Sequence, residues 1–224
     1  MSPSQDEIFA VSEGNQWFER NRRALARFVA EVDIPVRLVQ LYQLGPGSIL
    51  EIGAANGYRV ASIAESVGAR AVAVEVSSEA IRDGQARFPG VRFVQATACY
   101  VPLQELFDLI IVNFVFHWID RVNLLRAVAE TDRLLADRGY LIIGDFHPVN
   151  LTKVEYHHLP EQQVYTYKQD YAATFLASGL YHAVCLLTGD HASGDLAGNV
   201  AENHRIGTWL LRKMLQEHYV EFRR

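Results

Sequence analysis

Five short apolar runs constrain this chain most: Ser48–Ile52, Ala71–Glu75, Val91–Gln95, Phe107–Asn113 and Tyr140–Asp145. Several of them, Phe107–Asn113 above all, are apolar on both faces, whereas a strand with one wet face alternates polar and apolar residues. Between the runs lie stretches with helical period: Arg59–Val67, Ser78–Arg87 with Ser77 or Ser78 as its cap, and Val122–Leu135, which stops at the Asp137-Arg138-Gly139 turn. Strands buried on both faces and alternating with helices form a parallel sheet covered on both sides, so the expected class is α/β and doubly wound.

The flanks are less regular. Glu7 to Tyr42 is read as helical from Phe18, Leu25, Phe28, Val29 and Val32, with Pro35 interrupting, and Gly45-Pro46-Gly47 marks a turn. After Pro148 the alternation stops. Asn150–Asp170 is rich in His, Tyr and Gln without a clean period, which at the end of a fifth strand reads as a functional insertion or lid. Tyr171–Ser178 is expected to be a helix ending at Gly179, Tyr181–Leu187 a strand and Thr188–Ala201 a loop. Thr208–Lys213 fits a last strand or the opening of a last helix, and the strand is favoured. The expected organisation is one domain over 1–224, with a helical segment at 1–45, a ligand-binding core at 48–145 and a substrate or lid region at 146–205.

Charge and cysteine usage limit the partners. Lys and Arg number 21 against 26 acidic residues, a formal net charge of -5, which supplies no overall attraction to a phosphate backbone. Arg20, Arg22 and Arg23 read as a solvated helix face, and Arg223 and Arg224 as a charged terminus. Cys99 and Cys185 sit among apolar neighbours, which suits neither a disulfide framework nor a thiolate metal site. The opening residues are polar and acidic, and no stretch approaches the roughly 20 apolar residues that span a bilayer. The expectation is a cytoplasmic protein with a small-molecule acceptor, no nucleic-acid or membrane partner, and a homodimer as the assembly to test.

The loop after the first run carries the most chemistry. In an open α/β sheet ligands sit at the carboxyl ends of the strands, where the strand order reverses. Glu51-Ile52-Gly53-Ala54-Ala55-Asn56-Gly57 offers a small-residue surface there, with a carboxylate at its base. A dinucleotide site needs Gly-x-Gly-x-x-Gly, but counting from Gly53 its second slot holds Ala55 and its third Tyr58, so NAD fits poorly.

The run resembles motif I of the class I S-adenosylmethionine-dependent methyltransferases, an acidic residue followed by x-Gly-x-Gly-x-Gly, read here as Glu51, Gly53, Ala55 and Gly57. The departure is Ala55 in the middle glycine slot. Further marks follow in order. Glu75 closes the second strand, Thr97 in Ala96-Thr97-Ala98 stands where many members carry Asp, and Asn113-Phe114-Val115-Phe116 replaces the Asn-Pro-Pro-aromatic signature of nucleic-acid amino methyltransferases. The resemblance spans about residues 48–145. It implies a mostly parallel seven-stranded, Rossmann-like sheet, S-adenosyl-L-methionine as cofactor and a small acceptor. By resemblance Gly53 and its neighbours line the methionine part, and Glu51 fixes the loop or the amino group. Glu75 accepts the ribose hydroxyls and Thr97 the adenine amino group, while Ala55, Gly57, Val76, Ala98 and Asn113 complete the contacts.

The acceptor side is less defined. A hydroxyl acceptor needs a base, most naturally a His, and His117 follows the fourth strand. Packing beside Trp118 as a structural residue is the competing reading. Trp17, His147, His157 and Tyr165 are the candidate substrate contacts, with Tyr165, Tyr167 and Tyr171 forming either an aromatic wall or a face beneath a lid. Asp145, His147, His157 and His158 match no metal-ligand spacing, and no metal is expected. Trp17–Asn21 and Tyr156–Pro160 resemble stretches of sugar and natural-product methyltransferases from bacterial biosynthetic clusters. The expected reaction is methyl transfer to oxygen or nitrogen of such a metabolite. The alternatives are a non-catalytic module that keeps the fold and, further off, a nicotinamide oxidoreductase.

Overall fold

The structure is a computed structural model that describes residues 3–217 and 219–222; Arg223 and Arg224, read above as a charged terminus, lie outside the described residues. Five parallel strands, β1 (Ser48–Ile52), β2 (Arg70–Glu75), β3 (Val91–Gln95), β4 (Phe107–Asn113) and β5 (Leu135–Phe146), share one sheet with two antiparallel strands, β8 (Tyr181–Asp190) and β9 (Arg205–Lys213). Its order is β3-β2-β1-β4-β5-β9-β8. The order turns between β1 and β4, so the loops leaving those two strands flank the crevice where such sheets bind ligands.

Side chains on successive residues go to opposite faces. On one face Ile49, Leu109, Ile111 and Ile142 pack under α3 (Ile34–Leu41) and α4 (Tyr58–Val67); on the other, Leu50, Ile52, Ile110, Val112, Leu141 and Ile143 pack with residues of α6 (Leu124–Leu134) and α7 (Ala172–Ala177). Each aliphatic side chain fully buried this way stabilises the fold by about 1.5–3 kcal/mol. This two-sided burial is why the central strands carry no polar alternation. α5 (Ser78–Arg87) opens at Ser77, whose hydroxyl accepts from the Ala80 amide.

The flanks depart from the sequence reading. The expected 7–42 helix is divided into α1 (Gln5–Ile8), a π-helical stretch (Phe9–Glu13), α2 (Gly14–Leu25) and, after a non-helical break, α3. Pro35 does not end a helix. It lies in the first turn of α3, where its missing N–H is no loss, behind Asp33, whose side chain accepts from Val36. The Asp137-Arg138-Gly139 turn lies within β5, in an irregularity that shifts the register between the Phe107–Leu135 and Leu109–Tyr140 pairs. Within Asn150–Asp170 a hairpin forms from β6 (Thr152–Glu155) and β7 (Tyr165–Lys168). β8 runs on to Asp190, three residues past its expected end, and the favoured strand reading of the last segment holds, with β9 starting at Arg205.

Candidate functional site

A single cleft of about 1090 Å³ runs along the carboxyl ends of the parallel strands and beneath the N-terminal helices. Its floor is the loop after β1. Gly53 has φ +71, and a Cβ there would lie 2.3 Å from Val115 Cγ2, so only glycine fits between β1 and the loop after β4. Its amide and that of Ala54 donate to Val74 O at 2.8 and 3.1 Å. Ala55 is left-handed as well, at φ +49, a conformation that costs a non-glycine residue about 1–2 kcal/mol. Its amide donates to Glu75 Oε2 at 2.8 Å. Gly57 opens α4 at φ +75 with the Phe93 ring 2.8 Å from where its Cβ would be; it is a packing position and does not line the cleft.

Glu51 does not line the cleft either. It is 0% exposed, and its carboxylate accepts from Arg59 Nη1 at 2.5 Å and from the Val60 amide at 3.1 Å. Arg59 also donates to Asp33 at 2.9–3.1 Å, tying the N-terminal segment to the start of α4. Burial pushes Glu51 up to about 7 against the pull of Arg59. Its contribution to the site is to hold the loop.

Glu75 does line the cleft. Burial raises its pKa, against three backbone N–H donors from Ser77, Ala55 and Val76. A carboxylate has about four acceptor positions; these three donors leave room for about one more. Val76, Thr97, Ala98 and Asn113 continue the lining.

At the β4 end, Phe114 is left-handed (φ +56) and donates its amide to Gly144 O at 2.7 Å. That kink starts a 3₁₀ turn, Phe116–Trp118, which carries His117 into the cleft wall. His117 is 2% exposed. Its Nδ1 lies 2.9 Å from Asp145 Oδ1 at the end of β5, close enough for charge interaction but out of line for a hydrogen bond from the ring. Asp145 is anchored from behind by the amides of Phe146 at 2.8 Å and His117 at 3.3 Å. The ring contacts Trp118 at 4.4 Å and Phe146 at 5.2 Å, so it is packed and cleft-lining at once. Sequence reasoning noticed Asp145 only as a would-be metal ligand; its partnership with His117 needs the β4–β5 register.

The substrate candidates separate. Trp17 and His157 line the cleft. His147 instead faces a small void with Asp170 and Trp209, and burial lowers its pKa. Tyr165 sits beneath Lys153, whose Nζ is 3.5 Å from its ring, while its backbone is stitched to the Gln5 side chain by two bonds of 2.8 Å. Tyr171 is core, stacked on Phe116 at 5.5 Å. Sequence reasoning missed Phe9, Phe146, Tyr156, Lys168, His191 and His204, all cleft-lining; their common signal would have been proximity, which no local pattern contains. Among the described residues no group of three or more His, Cys, Asp or Glu could hold a metal ion, and no helix is long and apolar enough to cross a membrane.

A sheet that turns at β1 and β4, a left-handed small-residue loop and an acid at the end of β2 together define an α/β protein built to hold a nucleoside cofactor. Residues 50–143 match the family described as Methyltransferase domain. An uncharacterized methyltransferase from Alkaliphilus oremlandii (strain OhILAs) is 25% identical over 99 residues, 44% of this chain and 45% of that protein, so the match spans under half the length of the curated relative. Among solved structures, the N-methyltransferase NodS from Bradyrhizobium japonicum WM9, in complex with S-adenosyl-L-homocysteine, superposes with a TM-score of 0.63 at 18% identity over 89% of this chain and 98% of its own. The 1,6-didemethyltoxoflavin-N1-methyltransferase from Burkholderia thailandensis, bound to 1,6-didemethyltoxoflavin and S-adenosylhomocysteine, superposes at 0.73 and 16% identity over 96% and 92%. These likenesses establish the fold. Over residues 50–143 the chain is similar to a methyltransferase domain, and both of these solved neighbours hold S-adenosylhomocysteine.

Proposed function

We propose that this chain transfers the methyl group of S-adenosylmethionine to a nitrogen or oxygen of a small metabolite, a natural-product or sugar intermediate. The observation that carries this is the shared volume: Gly53, Ala55, Glu75, Thr97 and Asn113 line the same cleft as His117, Phe9, Trp17, Trp118 and Tyr156. At about 1090 Å³ it stands at the upper end of the ~300–1,000 Å³ range of ligand pockets, room for a cofactor and a small acceptor side by side. When bound, the cofactor supplies an electrophilic methyl group. The residues fit it: Glu75 keeps acceptor capacity for one ribose hydroxyl, the Gly53–Ala55 backbone admits close approach, and Thr97 and Ala98 border the adenine end.

The protein's own part is position and proton removal. Phe114 and Val115 separate the floor from the acceptor end, and the aromatic walls exclude water. His117, with Asp145 Oδ1 2.9 Å from its Nδ1, has its opposite ring nitrogen for the acceptor's N–H or O–H proton. Asp145 acts through its charge beside the ring. The named relatives NodS and the toxoflavin enzyme are N-methyltransferases, which favours testing nitrogen acceptors first.

Calorimetric titration with S-adenosylmethionine and S-adenosylhomocysteine, with NADH as control, tests the cofactor. Micromolar binding of the adenosyl ligands alone, weakened at least tenfold by Glu75→Ala, is expected. Unchanged affinity in Glu75→Ala would remove the ribose assignment, and binding without turnover of any acceptor would return the non-catalytic module.

A further inference from the structure

We infer that the acceptor end of the cleft is built for an acceptor carrying an anionic group, gripped by Lys168, His191 and His204; this rests on the methyl-transfer reading of the cleft. Three segments far apart in sequence meet there. Lys168 ends β7, His191 follows β8, and His204 closes the turn before β9, yet all three line the cleft. Phe146 joins two of them to His117. Lys168 Nζ lies 4.1 Å from its ring centroid, and the His191 and His117 rings lie 4.9 and 5.2 Å away. The loops are tied together by Lys168 Nζ donating to Asn203 O at 2.6 Å and the His191 amide donating to His204 O at 2.8 Å. An ammonium has three donors, so Lys168 keeps two for a ligand.

The carboxylates along the cleft are committed elsewhere. Asp6 accepts from the Asp120 amide and Asn123, Asp33 from Arg59, and Glu75 from three amides. Glu155 pairs across the hairpin with Tyr165, three positions along the strand from Lys168, about 10 Å away at strand spacing. Asp145 is held behind His117. Among the carboxylates, Asp145 is the one that acts on this cluster, and its pull is outweighed. Burial lowers the pKa of Lys168, and burial with His117, Lys168 and His204 lowers that of His191 against the pull of Asp145. An anion in their midst reverses that repulsion.

Aromatic rings line the same cleft. Phe9, Trp17, Trp118 and Tyr156 line the cleft with ring centroids 5.0–6.0 Å apart, a spacing typical of aromatic contacts. Trp118 Nε1 is buried there with no protein partner, a donor waiting for a polar edge of the acceptor.

The test uses the full chain saturated with S-adenosylhomocysteine and three probes of one shape: 2-naphthoate, 2-naphthyl phosphate and 2-naphthamide, titrated by calorimetry. At least one anion should bind about tenfold more tightly than the amide, as one charge-assisted hydrogen bond provides. The tighter anion identifies the group as carboxylate or phosphate. Lys168→Met and, separately, His191→Gln should each erase most of that preference while leaving S-adenosylhomocysteine affinity within twofold. Equal or tighter amide binding, a preference that survives both variants, or no binding of any probe overturns the inference. If S-adenosylhomocysteine itself fails to bind, the methyl-transfer reading falls on that result alone, and the same three titrations on the unloaded chain still decide whether the anion subsite exists.

Discussion

The two ends of the cleft are built differently. The cofactor end is made of backbone: Gly53, Ala54 and Ala55 present amides and small surfaces, and Glu75 is fixed by N–H groups within two residues of itself or across one strand. The acceptor end is made of side chains delivered by at least five separated segments, from Phe9 and Trp17 through His117 and Phe146 to Tyr156, Lys168 and His191. A backbone cradle tolerates little change because its geometry is also the fold's geometry. A side-chain wall can be rewritten without disturbing the sheet, which is how one fold serves many acceptors.

Substitutions at each end should therefore fail in different ways. The largest effect is expected from His117→Ala, which should lower kcat by about 10²–10⁴-fold on the first acceptor that turns over, while calorimetry shows S-adenosylhomocysteine affinity unchanged. Asp145→Asn should give a smaller loss and a shifted pH–rate profile. If His117→Ala keeps its rate across pH, the acceptor end supplies no base and that side of the comparison breaks.

Gly53→Ala should instead damage fold and cofactor binding together. The strained φ and the contact with Val115 add to about 3 kcal/mol of lost stability in urea unfolding. Adding Val115→Ala should recover the steric part and leave the backbone part. A Gly53→Ala protein of wild-type stability would show that the floor is more plastic than its geometry allows.

Glu51→Gln sharpens the point, because Glu51 stands below the cleft. Breaking its buried pair should cost about 2 kcal/mol, moderated by Asp33 remaining on Arg59. The pH dependence has a definite sign. Burial holds Glu51 near 7 in the folded chain against an ordinary value of 4.5, so the folded state binds more protons between those values and stability falls as pH rises through that window. Urea midpoints from pH 4.5 to 7.5 should show that slope in the native chain and a flatter one in Glu51→Gln; identical slopes would mean the pair with Arg59 keeps Glu51 ionised throughout.

The smallest effect is expected at Ala55→Gly, which relieves a left-handed alanine at φ +49. A net gain of about 0.5 kcal/mol is expected after the extra unfolded-state entropy of glycine is subtracted. A loss of stability there would show that the Glu75 acceptance of the residue 55 amide needs the methyl group's restriction.

The sequence by itself determined the five parallel strands, their helices and the loop at the β1 end, because each rests on interactions within a dozen residues: hydrophobic period, caps and small residues that a turn requires. Its resemblance to a methyltransferase motif set also singled out Glu75, Thr97 and Asn113, with His117 beside them, and all four line the cleft. It read Pro35 as an interruption of the 7–42 helical run, whereas the break precedes it and Pro35 lies in the first turn of α3 behind the Asp33 cap. Tertiary structure alone decided that Glu51 and Gly57 brace the loop from beneath, that His147 and Tyr165 turn away from the cleft, that Asp145 meets His117, and that Lys168 and His191 meet on Phe146 with His204 lining the same cleft. The register between β4, β5 and β9 and the path of the hairpin set those meetings. They bring together residues tens of positions apart whose local sequence carries no trace of one another.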